Sequence, residues 1–149
     1  MTVAILFAAD LIAERLKARC PAAAGNVFAA PDLAGVQEKD QKTPALQVLL
    51  HSYEPLSDDA GASSRWREIY LVVAVVKNAR RLGAVEAIRN AAGGLLQEAI
   101  AALDGWKCPG AIGLVRAIAP PRPAITDSFG YFPLAFEVHT VSDGADGQP

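Results

Sequence analysis

The stretch RWREIYLVVAVVK, residues 65–77, decides the fold because it is the strongest strand in the sequence. Residues 69–76 are apolar on both faces, rich in β-branched side chains and free of glycine and proline, which is typical of a central strand covered on both sides. The residues before them alternate, and we expect that end of the strand to protrude beyond the sheet into a hairpin. The alternation places two sets of side chains on opposite faces, Arg65, Arg67 and Ile69 on one and Trp66, Glu68 and Tyr70 on the other.

One amphipathic helix is predicted before this strand, over residues 3–19. Its apolar side chains share one face, and its charged side chains form a polar stripe on another. We expect the helix to end at Cys20 and Pro21, because proline cannot continue the hydrogen-bonded ladder.

A second amphipathic helix is predicted after the strand, over residues 84–103, where apolar side chains recur at three- and four-residue spacing. Gly105 lies where a C-terminal cap is expected. Gly93 and Gly94 weaken the helix by about 1 kcal/mol each. Because glycine has no side chain, we expect this pair to let the helix pack closely on the sheet.

Four further strands are predicted from short apolar or alternating runs. Pro133, inside the last of them, indicates an edge position or a bulge, since proline cannot donate a ladder hydrogen bond. Consecutive strands without a helix between them favour antiparallel pairing, whereas the second helix makes a crossover. The sequence therefore predicts an α+β fold, with a mixed, largely antiparallel sheet of about five strands covered by two amphipathic helices. The additional strands are residues 26–29, 45–53, 112–118 and 131–141.

The size and charge of the chain limit its class. It has 149 residues, of which 52% are hydrophobic, so we expect one domain over residues 1–141 and a flexible tail over residues 142–149. The net charge is −2 with both signs interspersed, whereas specific nucleic-acid binding usually requires a basic surplus or stripe. No apolar run reaches the roughly 20 residues that span a bilayer. We therefore expect a soluble protein, made and kept in a cytoplasm, that binds neither membrane nor specific nucleic acid.

The side chains that carry catalysis or bind metals form no recognisable pattern in the sequence. Cys20 and Cys108 are far apart and lack metal-ligand spacing, so we expect two free, partly buried thiols. His51 and His139 lie on predicted strands and are expected to be half-exposed sheet residues. Phosphate-binding, nucleophile-elbow and calcium-loop motifs are absent from the sequence. We therefore expect no enzymatic activity, no cofactor and no metal.

Three segments carry a resemblance to a known family. They are a long strand bearing tryptophan at residues 66–76, a helix ending in an L-x-G-W turn followed by proline, and a closing strand with a Pro-Leu-x-Phe pattern at residues 132–136. The turn consists of Leu103, Gly105, Trp106 and Pro109. In these segments and in the order of elements over roughly residues 3–141, the chain resembles the tail-terminator and tail-completion proteins of tailed phages and prophages.

The resemblance implies a non-enzymatic structural protein of the virion, at the head-proximal end of the tail and assembled in the cytoplasm of the bacterial host. In that family a homohexameric ring caps the tail tube, ends its polymerisation and offers the surface for head–tail joining. The implied partners are further copies of the chain, the tail tube protein and the head–tail connector protein, without a cofactor. Two alternatives stay open: another head- or tail-completion subunit, and a small ligand-binding α/β domain.

Candidate contact residues lie around the connection over residues 54–64. This connection is hydrophilic and longer than a tight hairpin, and it carries Asp58 and Asp59. We hypothesise that it projects, together with Arg65 and Arg67, toward the tail tube or the neighbouring subunit. The alternative interpretation is a solvated loop without contacts.

Overall fold

The computed structural model describes residues 5–29, 37, 40–56, 63–78 and 84–143 of the chain. Both predicted helices and all five predicted strands are present, and the structure adds a sixth strand of two residues, Ala124–Ile125. In chain order the elements are α1 (Ala8–Arg19), β1 (Val27–Ala29), β2 (Ala45–Pro55), β3 (Ser63–Lys77), α2 (Ala84–Leu103), β4 (Ile112–Ile118), β5 (Ala124–Ile125) and β6 (Phe129–Asp143), with a 3₁₀ turn (Pro21–Ala23) between α1 and β1.

β3 lies in the centre of the sheet, as the apolar run predicts. The strand order is β1-β2-β3-β6-β4, and β5 pairs with β6. β3 is antiparallel to β2 on one side and to β6 on the other. β1 runs parallel to β2, and the other described pairs are antiparallel. The predicted α+β fold with a mixed, largely antiparallel sheet is therefore confirmed.

The predicted protrusion of β3 beyond the sheet is wrong. β6 continues two residues past the predicted end at Val141, through Ser142 and Asp143. It therefore accompanies β3 as far as the pair between Ser63 and Asp143. β2 accompanies the same end of β3 as far as Trp66, so both neighbours support this part of the strand.

Both helices pack on one face of the sheet, where the larger of two apolar clusters lies. Alternate residues of β3 point to opposite faces, and Val72 and Ala74 belong to the larger cluster whereas Val73 and Val75 belong to a smaller one. β3 is thus buried on both faces, but the helices do not sandwich the sheet. The helical side chains of the larger cluster include Ile12 and Leu16 of α1 and Ile88, Ala92, Leu95, Ala99 and Leu103 of α2.

α1 begins at Ala8 rather than at residue 3, although residues 1–4 lie outside the described part of the chain. Leu6 has a φ of 64°, which places it in the left-handed region that a right-handed helix excludes. Its backbone N–H donates to Glu68 Oε2 at 3.1 Å. This long-range hydrogen bond favours a turn where the local periodicity predicts helix. The C-terminal end at Arg19 agrees with the prediction.

The expectation that Gly93 and Gly94 permit close packing on the sheet is wrong. Both glycines are exposed, and a Cβ atom built at either position would have no contact within 4 Å apart from its own helix. α2 faces the sheet through the stripe that contains Ala92 and Leu95, which are almost completely buried. The two glycines lie next to that stripe but point away from it.

Pro133 lies at a gap in the pairing of β6 rather than in an edge strand. Val73 of β3 is its partner on one side. On the other side, β5 pairs with residues 130–131 and β4 with residues 135–139, so Pro133 falls between the two. A residue without an N–H donor is tolerated there because the ladder requires no bond from it. The edge character that proline predicts is therefore local.

Candidate assembly surface

Arg65 and Arg67, two of the four predicted contact residues, lie at the end of the sheet where β2, β3 and β6 run side by side. Arg65 and Arg67 share the face opposite the helices, as their alternation predicts. Arg65 is exposed, and none of the ion pairs among the described residues involves it. Asp58 and Asp59 lie outside the described residues. The structure therefore places two of the four candidate residues together, on adjacent positions of one strand face.

Arg67 connects three strands. Its Nε donates a hydrogen bond to Glu137 Oε2 of β6 at 2.7 Å, and its Nη1 donates to Glu54 Oε1 of β2 at 3.2 Å. These hydrogen bonds, first the one to Glu137, raise the pKa of Arg67 above its ordinary value. The Glu54 side chain is 60% exposed and that of Glu137 is 24% exposed, so solvent screens the Glu54 pair more strongly. Arg67 therefore holds strands of its own subunit together.

His139 lies opposite Arg67 in the ladder. Its Nε2 is 3.7 Å from Glu137 Oε1, which is too long for a hydrogen bond. The Nε2 atom is buried and has no hydrogen-bond partner among the described residues. His51, by contrast, is exposed on β2. The expectation of a half-exposed sheet histidine is therefore confirmed for His139, whereas His51 is more exposed than expected.

Trp66 lies on the helix-side face of the same sheet end. Its indole Nε1–H donates to Ser142 Oγ at 2.7 Å. Its ring lies against that of Tyr53 on β2, with centroids 6.2 Å apart. The ring of Trp66 therefore bridges from β2 to β6 across β3, and it leaves Tyr53 at the outer margin with half of its surface exposed.

Glu68 is the side chain at this end that sequence analysis missed. It is completely buried, and its carboxylate accepts hydrogen bonds from the Tyr70 hydroxyl at 2.6 Å, the Thr140 hydroxyl at 2.7 Å and the Leu6 N–H. Burial, followed by the hydrogen bond to Glu68, holds the pKa of Tyr70 well above its ordinary value. One signal was available in the sequence: Glu68 shares its strand face with Val72, which belongs to the core.

The L-x-G-W turn covers the β4 edge of the sheet. Gly105 has a φ of 84°, a left-handed conformation that favours glycine after a helix. Its N–H donates to the Val115 carbonyl, and the Val115 N–H donates to the Trp106 carbonyl, both at 2.8 Å. The Asp104 carboxylate accepts from the Ala117 N–H at 3.0 Å. These bonds satisfy backbone groups that an edge strand otherwise exposes.

Trp106 also contributes to the contact between the two helices. The Arg15 guanidinium of α1 lies 4.8 Å from the centroid of the Trp106 ring, within the range of a cation–π interaction. Arg15 Nε donates to the Ala102 carbonyl of α2 at 2.5 Å. The motif residues Gly105 and Trp106 therefore have structural roles in the subunit.

Exposed large apolar side chains lie on two opposite edges of the sheet. Leu50 and Tyr53 of β2 are 40% and 51% exposed, and Leu114 of β4 is 43% exposed. β1 pairs only with residues 46–48 of β2, so within the described residues the outer side of β2 from Leu50 onward has no strand beside it. Such edges favour association with another chain.

The described residues contain no group of three or more histidine, cysteine, aspartate or glutamate side chains that could hold a metal ion. Cys20 and Cys108 are free and buried, and burial raises the pKa of each thiol to about 11. Neither helix, over its described length, is long and apolar enough to cross a membrane.

The chain is similar to known proteins in both sequence and fold. The family described as "Phage tail terminator protein" matches residues 2–144. Among solved structures, a chain of the virion of a native gene transfer agent particle has 16% sequence identity and a TM-score of 0.58, over 88% of this chain and 92% of that chain, which shows a shared fold. No curated protein matches the chain. Since the family match spans nearly the whole sequence, the chain belongs to the phage tail terminator protein family, a family of structural phage proteins.

Proposed function

We propose that the chain caps the tail tube as a ring of identical subunits, ends polymerisation of the tube and forms the surface for head–tail joining. The family match over residues 2–144 carries this proposal. The fold shared with a chain of a gene transfer agent virion supports a place in a particle. In this role the protein is a non-enzymatic virion component at the head-proximal end of the tail, and its ring is a homohexamer that contacts the tail tube protein and the connector protein.

The subunit has the two unlike surfaces that a ring requires. A cyclic assembly of more than two copies uses heterologous contacts, in which one patch of a subunit binds a different patch of the next. Within the described residues the β2 edge is open from Leu50 onward, whereas the turn after α2 covers the β4 edge. These unlike edges support a closed ring over a two-fold dimer.

The assembly state tests the proposal. Native mass spectrometry and negative-stain imaging of the full chain, with and without tail tubes, are expected to show hexameric rings with a central opening. A host carrying a phage or particle locus without this gene is expected to produce tubes of uncontrolled length. A chain that stays monomeric in the presence of tubes, or tubes of normal length without it, would overturn the proposal.

The contact role of the candidate residues is a separate test. Arg65 is the better candidate of the two arginines because Arg67 is already paired with Glu54 and Glu137. We expect Arg65→Glu to weaken attachment to tubes or ring formation, and Arg65→Lys to preserve both. Unchanged rings and unchanged tail lengths with Arg65→Glu would support the solvated-loop interpretation instead.

A further inference from the structure

We propose that neighbouring copies in the ring bind edge to edge, with the β2 edge of one copy against the β4 edge of the next. This inference rests on the proposed ring and adds its contact surfaces. The β2 patch consists of Leu50, Tyr53 and Glu54, and the β4 patch consists of Leu114 and Arg116. Each patch therefore binds the unlike patch of a second copy of this chain.

Tyr53 and Leu114 lie at the same height on opposite edges of the sheet. Tyr53 lies in a cross-strand row with Glu68 of β3 and Val138 of β6. Leu114 lies in the part of β4 between its pairs with residues 137 and 139 of β6, hence beside the same row. Three strand spacings of about 4.8 Å separate the edges. A rotation about a ring axis therefore brings the β2 patch of one copy to the β4 patch of the next without sliding along the strands.

Apolar exposure supports both patches. Three of the five large apolar side chains that are exposed among the described residues belong to them, Leu50, Tyr53 and Leu114. Leu50 lies in the row of Tyr70 and Phe136, two residues along β3 from the row of Tyr53. Scattered exposed apolar residues are common in soluble proteins, but residues gathered on two edges within two neighbouring rows favour an association surface.

Charge complementarity favours the unlike pairing. Glu54 follows Tyr53 in β2, and its side chain is 60% exposed. Only its Oε1 atom pairs with Arg67. Arg116 of the β4 patch is exposed and has no ion pair among the described residues. Contact between unlike patches brings Glu54 near Arg116. Contact between like patches would oppose two glutamates or two arginines, which is unfavourable.

The contact is made by side chains rather than by a continued strand ladder. On the β4 side, the turn with Gly105 and Trp106 already uses both backbone groups of Val115. On the β2 side, the ladder with β3 has a register shift between Leu50 and Ser52, and the strand ends at Pro55. Irregular edges of this kind discourage strand addition, so the edges present side chains to the partner.

Two matched substitutions test the pairing, because each introduces a charge at an exposed leucine of one patch. Leu50→Arg blocks the β2 patch, and Leu114→Arg blocks the β4 patch. Each variant alone is expected to lose at least roughly tenfold in ring fraction by native mass spectrometry, since a buried unpaired charge is costly. An equimolar mixture is expected to form heterodimers, because one intact β2 patch and one intact β4 patch still meet, and growth stops there.

Ile125→Arg is the matched control. Ile125 is 53% exposed on β5 and pairs with Gly130 at the other end of β6, away from both patches, so its rings are expected to persist. Rings that persist in both leucine variants, or homodimers of either variant alone, would overturn the edge pairing and leave the proposed function standing. A wild-type chain without rings would overturn the proposed function itself.

Cross-linking gives a second measurement that does not depend on how the charged variants fold. A chain with Leu50→Cys and Leu114→Cys, treated with a short bismaleimide in the assembled ring, is expected to give a covalent ladder up to the ring size. Each single cysteine variant, and a chain with Leu50→Cys and Ile125→Cys, is expected to give no ladder, since Cys20 and Cys108 are buried. A ladder from a single variant, or none from the first chain, would overturn the pairing.

Discussion

At the scale of single residues, Glu68 joins three parts of the chain through one carboxylate. Glu68 and Tyr70 both belong to β3, and the Glu68 carboxylate accepts a hydrogen bond from the Tyr70 hydroxyl. It also accepts one from Thr140 of β6 and one from the Leu6 N–H in the turn before α1. A buried carboxylate is stable only when donors satisfy it. Here three donors do so, and one of them, the Leu6 N–H, favours the turn that replaces the first residues of the predicted N-terminal helix.

We predict that Glu68→Ala lowers the free energy of unfolding by roughly 3 kcal/mol, because it leaves two buried hydroxyl donors and the Leu6 N–H without their acceptor and creates a cavity. Thr140→Val, which removes one donor at similar volume, is expected to cost only about 1 kcal/mol. Urea denaturation followed by far-UV circular dichroism measures both. A loss below 1 kcal/mol in Glu68→Ala would contradict this account of the carboxylate.

Arg67 and Arg65 differ in pairing although they share a strand face. Arg67→Met is expected to destabilise the subunit by about 1 kcal/mol, since it leaves Glu137 without its 2.7 Å partner. Arg65→Met is the matched control and is expected to change stability by less than about 0.5 kcal/mol. Equal effects in chemical denaturation would show that the ion pairs contribute nothing.

At the scale of elements, α2 combines a well-packed apolar stripe with two exposed glycines. We predict that Gly94→Ala stabilises the protein by about 1 kcal/mol, because alanine has the higher helix propensity and its methyl group meets no neighbour. The reverse change at exposed Ala91, Ala91→Gly, is expected to destabilise by a similar amount. Thermal unfolding compares the two. A destabilising Gly94→Ala would indicate that the glycine is needed for a contact within the assembly or the fold.

The turn after α2 decides how the β4 edge is covered. Gly105→Ala is expected to destabilise by about 1 kcal/mol, because a φ of 84° strains any residue with a Cβ atom. The added methyl group itself has room, since the nearest atom is Arg116 Nη1 at 3.8 Å. Gly105→Asn, which tolerates this conformation better, is expected to recover part of the loss. Equal stability of Gly105→Ala and the wild type would contradict the strain.

At the scale of the whole molecule, two buried thiols are expected to lower the free energy of unfolding as the pH becomes alkaline. Burial raises the pKa of Cys20 and Cys108 from 9.0 to about 11, so the folded chain keeps protons that the unfolded chain releases. Their stabilisation is complete below about pH 9 and is lost as the pH rises through 11. We expect a loss of about 1 to 2 kcal/mol for each thiol over that window. Urea titrations at pH 8, 9, 10 and 11 measure it, and a chain with Cys20→Ala and Cys108→Ala should show a flatter profile.

The two cysteines are an example of features that the local sequence pattern predicts. Their spacing predicted free, partly buried cysteines; the structure confirms that both are free and buries them more completely than expected. The apolar run of β3 predicted a central strand, and the three- and four-residue spacing in α2 predicted the buried stripe at Ile88, Leu95 and Leu103. These features follow from the sequence by itself because periodicity and apolar content are properties of neighbouring residues.

Tertiary structure alone decided the rest, because it depends on partners far away in the chain. The placement of both helices on one face, the extension of β6 beside β3, and the turn at Leu6 all require contacts between distant segments. The same holds for Arg67. The sequence suggested that it contacts another subunit or the tail tube, whereas in the fold it pairs with carboxylates on β2 and β6. Alternation assigned each side chain to a face, whereas only the assembled sheet determined which distant groups share it.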